Sequence, residues 1–149
     1  MTGDKEKLLV SACLLGHCCK YNGGHNRILE EQIDALEAHY DLVTVCPEVL
    51  GGLATPRPPA ERTDKGVFTV DGFNVTAEYQ EGARLTLSLV RKENITRALL
   101  RSKSPSCGKG QIYDGTHTQT LVLGHGVTAE TLLDAGISLY TEKELNQLL

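Results

Sequence analysis

An α/β fold is what this sequence predicts, and three observations predict it. Short apolar runs alternate with stretches of helical period, glycines and prolines punctuate the joins, and 149 residues are enough for one layered core without disulfide staples.

Lys7 to Cys13, with Leu8, Leu9 and Val10 at its centre, reads as a buried strand ending in small residues. From Arg27 to Tyr40 the apolar Leu29, Ile33, Leu36 and Tyr40 recur at helical spacing, and Leu42 to Cys46 is a second strand. Pro47 to Pro59 carries four of the five prolines and the pair Gly51-Gly52, so it is expected to be an ordered loop and not an element. Gly66 to Val75 reads as a hairpin turning at Asp71-Gly72. Thr76 is the expected N-cap of a helix running to about Lys92, with Tyr79, Ala83, Thr86, Leu87 and Val90 inward. Ala98 to Arg101 is a third core strand. Thr128 opens a short helix stopped by Gly136, and Ile137 to Tyr140 is a fourth strand. Thr141-x-x-Glu144 is a capping box for a terminal helix that packs through Leu145 and Leu148. The pattern implies a single Rossmann-like domain over residues 1–149, its largely parallel central sheet flanked by helices, with a small β-hairpin excursion. In such sheets ligands bind beyond the carboxyl ends of the strands.

Composition narrows the function. A net charge of −4 argues against a protein that gains affinity by neutralising nucleic-acid phosphates, and favours a small, weakly charged partner. The amino terminus Met1-Thr-Gly-Asp-Lys-Glu-Lys lacks the apolar region of a secretory signal, and no apolar run approaches the ~18 residues of a membrane span. A cytoplasmic protein without membrane attachment is expected. In that reducing compartment five cysteines read as metal ligands or reactive thiols.

Cys13 closes the first strand, Cys46 the second, and Cys107 lies just after the third. Their separations match no local metal motif, so their convergence is expected from the fold alone. Cysteine is also a common core residue. Yet each of the three keeps company with glycine or proline, which core packing does not need and a cluster loop does, because backbone amides must approach the sulfurs closely. Three thiolates suit a cubane iron-sulfur cluster with one iron left open. Zinc completed by His17, His25 or Cys19 is the competing reading, although paired C-x-x-C ligands are lacking. Cys19 rivals the three as a ligand, and Cys18 reads as an incidental thiol.

Three segments carry a more specific signal: Val10-Ser-Ala-Cys-Leu-Leu-Gly-His-Cys-Cys-Lys-Tyr-Asn-Gly, Cys46-Pro-Glu-Val-Leu-Gly-Gly-Leu-Ala-Thr-Pro-Arg-Pro-Pro-Ala-Glu, and Ser102-Lys-Ser-Pro-Ser-Cys-Gly-Lys-Gly-Gln-Ile-Tyr-Asp-Gly. Together, and in order along nearly the whole chain, they resemble the thiouracil desulfurase family. The resemblance implies a 4Fe-4S cluster held by Cys13, Cys46 and Cys107, and removal of sulfur from a small thiolated pyrimidine to give uracil and hydrogen sulfide. It places Glu48 and Ser104 on residues that assist the chemistry. The chain departs from the family pattern at Lys20 and Asn22, where arginine and aspartate are frequent, and at Ala54, where proline is common.

Position supports a catalytic Glu48, because Cys46-Pro47-Glu48 sets a carboxylate two residues beyond a ligand on a rigid backbone, beside the apolar Leu50 and Leu53. Tyr21, Tyr113, Phe68 and Phe73 are the aromatic side chains available to stack on a pyrimidine. Readings of other classes are a zinc-stabilised binding module without catalysis and a thiol-redox protein using Cys18 or Cys19.

Overall fold

The computed structural model describes residues 5–149; residues 1–4, where the sequence reading of the amino terminus begins, lie outside them. Four strands, β1 (Glu6–Ser11), β2 (Tyr40–Val45), β5 (Arg97–Leu100) and β8 (Ser138–Thr141), build the central sheet. They are parallel throughout and lie in the order β2-β1-β5-β8.

Alternation along the strands divides the core in two. Leu8 and Val10 of β1 and Leu99 of β5 join Leu14, Leu36, Tyr40, Leu145 and Leu148 on one face. Leu9 of β1 and Ala98 and Leu100 of β5 join Val90, Ala129 and Leu132 on the other. A parallel sheet buried on both faces needs helices on both, which is why β1 reads as a continuous apolar run. Leu8, Leu9, Leu99 and Leu100 are fully buried, each contributing roughly 1.5–3 kcal/mol of transfer free energy.

Helix α1 (Glu30–His39) covers the first face together with the carboxyl-terminal 3₁₀ segment Glu142–Leu148. Helices α3 (Thr76–Lys92) and α4 (Val127–Asp134) cover the second. The predicted capping box at the carboxyl terminus is present, with Thr141 Oγ1 accepting from the Lys143 N–H and Glu144 reaching back to the Thr141 N–H, but it opens a 3₁₀ segment and not an α-helix.

Three local expectations need correction. Pro47 to Pro59 is not loop throughout, because Pro47–Leu50 forms a one-turn helix, α2, with proline at its favoured first position. The principal hairpin pairs β3 (Ala60–Thr63) with β4 (Gly66–Thr69) around Asp64-Lys65, whereas the Asp71-Gly72 turn supports only a single bridge, Phe68 to Asn74. Thr76 is the first residue of α3 and not its cap; the Asn74 side chain accepts its N–H. A second hairpin, β6 (Gln111–Tyr113) with β7 (Leu121–Leu123), was not anticipated, its strands being too short for period to register.

Strand order fixes where a ligand can enter. The chain leaves β1 for β2 on one side and later returns to β5 on the other. Crossovers diverge at the carboxyl end of β1, and a crevice opens there.

Candidate active site

Cys13, Cys46 and Cys107 follow the ends of β1, β2 and β5, and all three line one cavity of about 530 Å³ at that crevice. That volume lies within the roughly 300–1,000 Å³ of small-molecule sites.

Each thiol sits on a backbone arrangement that its neighbours dictate. Cys13 lies in the 3₁₀ turn Ala12–Leu15, closed by Gly16 at a φ of 97°, which favours glycine. Its carbonyl accepts from the Gly16 and Asn26 amides, and Asn26 Nδ2 donates to its sulfur at 3.6 Å. Cys46 caps α2, whose close seat on α3 depends on two glycines: a Cβ on Gly51 would lie 2.0 Å from the Glu78 carbonyl oxygen, and one on Gly82 2.0 Å from that of Pro47. Cys107 belongs to a loop that caps α4 from outside, with Pro105 and Ser106 carbonyls accepting from the Val127, Thr128 and Ala129 amides.

Burial pushes the Cys13 thiol up, with Asn26 working against it, and pushes the Cys107 thiol up strongly against the opposing Ser11 hydroxyl. Cys19 also lines the cavity as a hydrogen-bonding neighbour of Cys46, and burial with that neighbour pushes its thiol up to about 12. Cys18 is exposed and does not line the cavity.

Glu48 enters the cavity wall from the first turn of α2. Its immediate partner is not the apolar loop the sequence suggested but the Arg57 guanidinium, with Nε at 3.1 Å and Nη2 at 3.0 Å from Glu48 Oε1. The Tyr79 hydroxyl lies against the same carboxylate; burial and that neighbour hold Tyr79 well above the usual phenol range. Neither Arg57 nor Tyr79 stands out for function in the sequence, although an arginine flanked by Pro56 and Pro58 has a restricted backbone.

Ser104 also lines the cavity. Its Oγ accepts from the Ser106 N–H at 3.1 Å and the Cys107 N–H at 3.0 Å, which stitches the Cys107 loop and leaves the hydroxyl proton to donate. Ser104→Ala removes this acceptor and both hydrogen bonds to it, at a cost of about 0.5–1.5 kcal/mol per bond. The variant is expected to retain iron with turnover reduced, while Ser104→Thr keeps the hydroxyl and activity. Undiminished sulfide release by iron-matched Ser104→Ala would reduce the residue to a turn staple.

The remaining wall is polar. Glu61 Oε1 accepts from the Gly115 and His117 amides, and Oε2 lies 3.6 Å from His117 Nδ1, fixing a loop over the cavity. Arg101 lines the site opposite, paired with Glu142, whose second oxygen accepts from the Ser102 N–H at 2.8 Å. Of the candidate stacking residues, Tyr21 and Tyr113 line the cavity, whereas Phe68 and Phe73 do not, and Phe73 is exposed. His17 and His25, offered as zinc ligands, do not line it either. Asn22 performs the turn expected of an aspartate, its Oδ1 accepting the Gly24 N–H at 2.9 Å.

The donor set fits a polynuclear group. Among the described residues no three His, Cys, Asp or Glu side chains stand close enough to hold a single metal ion. The three thiols border one shared cavity, and soft sulfur donors of this kind are what an iron-sulfur core takes. Buried thiols are costly as bare thiolates, and a multivalent centre supplies the charge that stabilises them.

Fold and site together define an α/β protein whose parallel-strand ends gather three thiols, an ion-paired carboxylate and a hydroxyl around one cavity. A family model described as 2-thiouracil desulfurase matches residues 8–144. The chain is 41% identical over 152 residues to the uncharacterized protein YbbK of Bacillus subtilis (strain 168), covering 95% of this chain and 99% of that one. It is similar to a solved structure of the 4Fe-4S-dependent thiouracil desulfidase TudS (DUF523Vcz), at 46% identity and a TM-score of 0.92, covering 97% of this chain and 95% of that one. The chain belongs to the 2-thiouracil desulfurase family.

Proposed function

We propose that this protein is a 4Fe-4S-dependent desulfurase that replaces the thiocarbonyl sulfur of 2-thiouracil by oxygen, giving uracil and hydrogen sulfide. Residues 1–149 act as one desulfurase domain. Cys13, Cys46 and Cys107 hold the cluster, and Glu48 and Ser104 move protons. The observation that carries this reading is the convergence of those five side chains on one cavity at the strand ends.

A cluster held by Cys13, Cys46 and Cys107 would supply a soft Lewis acid suited to a thiocarbonyl sulfur. The protein's own contribution is proton management. Water adds to the carbon that carries the sulfur, and Glu48 takes a proton from that water. The proton passes on to the departing sulfur, with Ser104 as donor or relay. Both protons of the water leave with the sulfur, so carbon keeps its oxidation state and no electron acceptor is needed. Tyr21 and Tyr113 are available to stack on the ring.

A small free base suits the −4 charge better than a nucleic acid does. Among the described residues no helix is long and apolar enough to cross a membrane, and five free thiols suit the reducing cytoplasm. The thiol-redox reading is weakened by position and acidity. Cys18 is exposed and lies outside the cavity, and burial raises the Cys19 thiol above the usual range, which disfavours the thiolate.

Anaerobic purification with iron, zinc and acid-labile sulfide analysis, followed by incubation with 2-thiouracil, tests the whole reading. About four irons and four sulfides per chain, with uracil and sulfide formed in equal amounts, are expected. Colourless protein carrying one zinc and releasing no sulfide would support the binding module instead.

A further inference from the structure

We infer that Arg57 is the positioning residue of this site, fixing the Glu48 carboxylate and the loop behind Cys46 through one guanidinium. The inference rests on the role proposed for Glu48.

The Arg57 side chain is 7% exposed and its donors are distributed among three segments. Nε and Nη2 hold Glu48 Oε1 at 3.1 and 3.0 Å. Nη1 donates to the Ala54 carbonyl at 3.1 Å and to Thr55 Oγ1 at 2.9 Å, within its own proline-rich loop. Nη2 also donates to the Cys19 carbonyl at 2.9 Å, while the Arg57 backbone N–H donates to the Tyr21 carbonyl at 2.7 Å. The Cys46 thiol faces that same Cys19 carbonyl at 3.8 Å.

A planar fork is required for this work. Its three nitrogens reach the carboxylate, a hydroxyl and two carbonyls in fixed directions, whereas a lysine ammonium is a single point of charge on a flexible stem. Both sequence flanks are proline, which limits the backbone freedom of the residue that carries the fork. Two donors of one planar group on Oε1 fix the direction in which the Glu48 carboxylate is presented. Removing the guanidinium leaves a half-buried carboxylate without its counter-charge, and the side chain turns elsewhere to find solvent. Arg57 thus acts through Glu48 and does not itself exchange a proton.

The test compares Arg57→Lys, Arg57→Met, Glu48→Gln and the Glu48→Gln/Arg57→Met double variant as cluster-loaded proteins matched for iron, with calorimetric binding of uracil as a second readout. Arg57→Met is expected to lose roughly 10–100-fold in kcat, the range typical of partners that orient an active group, with KM and uracil affinity unchanged. Added guanidinium ion is expected to restore part of that rate. In the Glu48→Gln background the same substitution is expected to cost nothing further. Should Arg57→Met fail to load iron, Arg57→Lys decides: it keeps the charge and stem, and is expected to load iron with kcat still below wild type. Wild-type kcat in loaded Arg57→Lys, or an undiminished effect of Arg57→Met without Glu48, overturns the inference. If Glu48→Gln is inactive while Arg57→Lys is not impaired, only the inference fails. If Glu48→Gln itself turns over normally, the role given to Glu48 fails and the inference with it.

Discussion

Cys107→Ser is expected to emerge from anaerobic purification colourless, with iron and acid-labile sulfide reduced to background and no desulfuration. A serine hydroxyl is a hard ligand that is not deprotonated at neutral pH, and it is a poor substitute for thiolate on iron. The site offers little to compensate, because Cys107 is 5% exposed and its loop is pinned against α4 by backbone hydrogen bonds. Those bonds do not involve its sulfur, so the variant is expected to fold and to fail only in loading. Cys13→Ser and Cys46→Ser are expected to behave likewise. Cys18→Ser, altering an exposed thiol, is expected to load fully. Cys19→Ser separates a ligand from a neighbour: full iron content keeps the assignment, and loss of iron puts Cys19 in place of one of the three. Full iron in Cys107→Ser would end the assignment altogether.

Much of this arrangement is legible in the sequence because one physical rule places it. Strands ending at Ser11, Val45 and Leu100 must release the chain at one edge if the sheet is parallel, and a cysteine stands in the segment beyond each. Strand period and apolar runs are local signals, so the four sheet strands and the long α3 were readable to within a residue or two. Features that depend on distant packing were not. Pro47–Leu50 turns helical because Gly51 and Gly82 let two backbones touch, a fact visible at neither glycine alone. The hairpin at residues 60–69 won over the Asp71-Gly72 turn although the latter has the stronger turn residues, because β3 and β4 pair over four residues. The largest omission was Arg57. Nine residues separate it from Glu48 in sequence, and only the folding back of the proline-rich loop makes them partners. Reading Glu48 against Leu50 and Leu53 supplied it with apolar neighbours where the fold supplies a guanidinium; Leu50 is in fact 42% exposed.

Glu48→Gln is expected to bind cluster and 2-thiouracil while turnover falls by roughly 10²–10⁴-fold, the usual contribution of a positioned acid-base group. The amide is isosteric and its oxygen can still accept from Arg57, so the geometry of the wall is largely retained. What it cannot do is take a proton from water and pass it on. The substitution also leaves Arg57, 7% exposed, without its anion, and a buried cation that loses its partner destabilises the surrounding loop. That loop touches Cys46 through the Cys19 carbonyl, so part of any activity loss would arise from weaker cluster retention unless iron content is matched between variants. Glu48→Asp, which keeps a carboxylate on a shorter stem, separates the two effects: it is expected to hold iron as well as wild type and to recover part of the rate that Glu48→Gln loses. With iron matched, the chemical contribution is read from kcat, since a residue acting only on the transferred proton lowers kcat and kcat/KM together and leaves substrate binding intact. Sulfide release by iron-matched Glu48→Gln at nearly the wild-type rate would mean that another group moves the proton, and Tyr79, whose hydroxyl lies against the same carboxylate and whose acidity is lowered by burial, would then be the first side chain to replace.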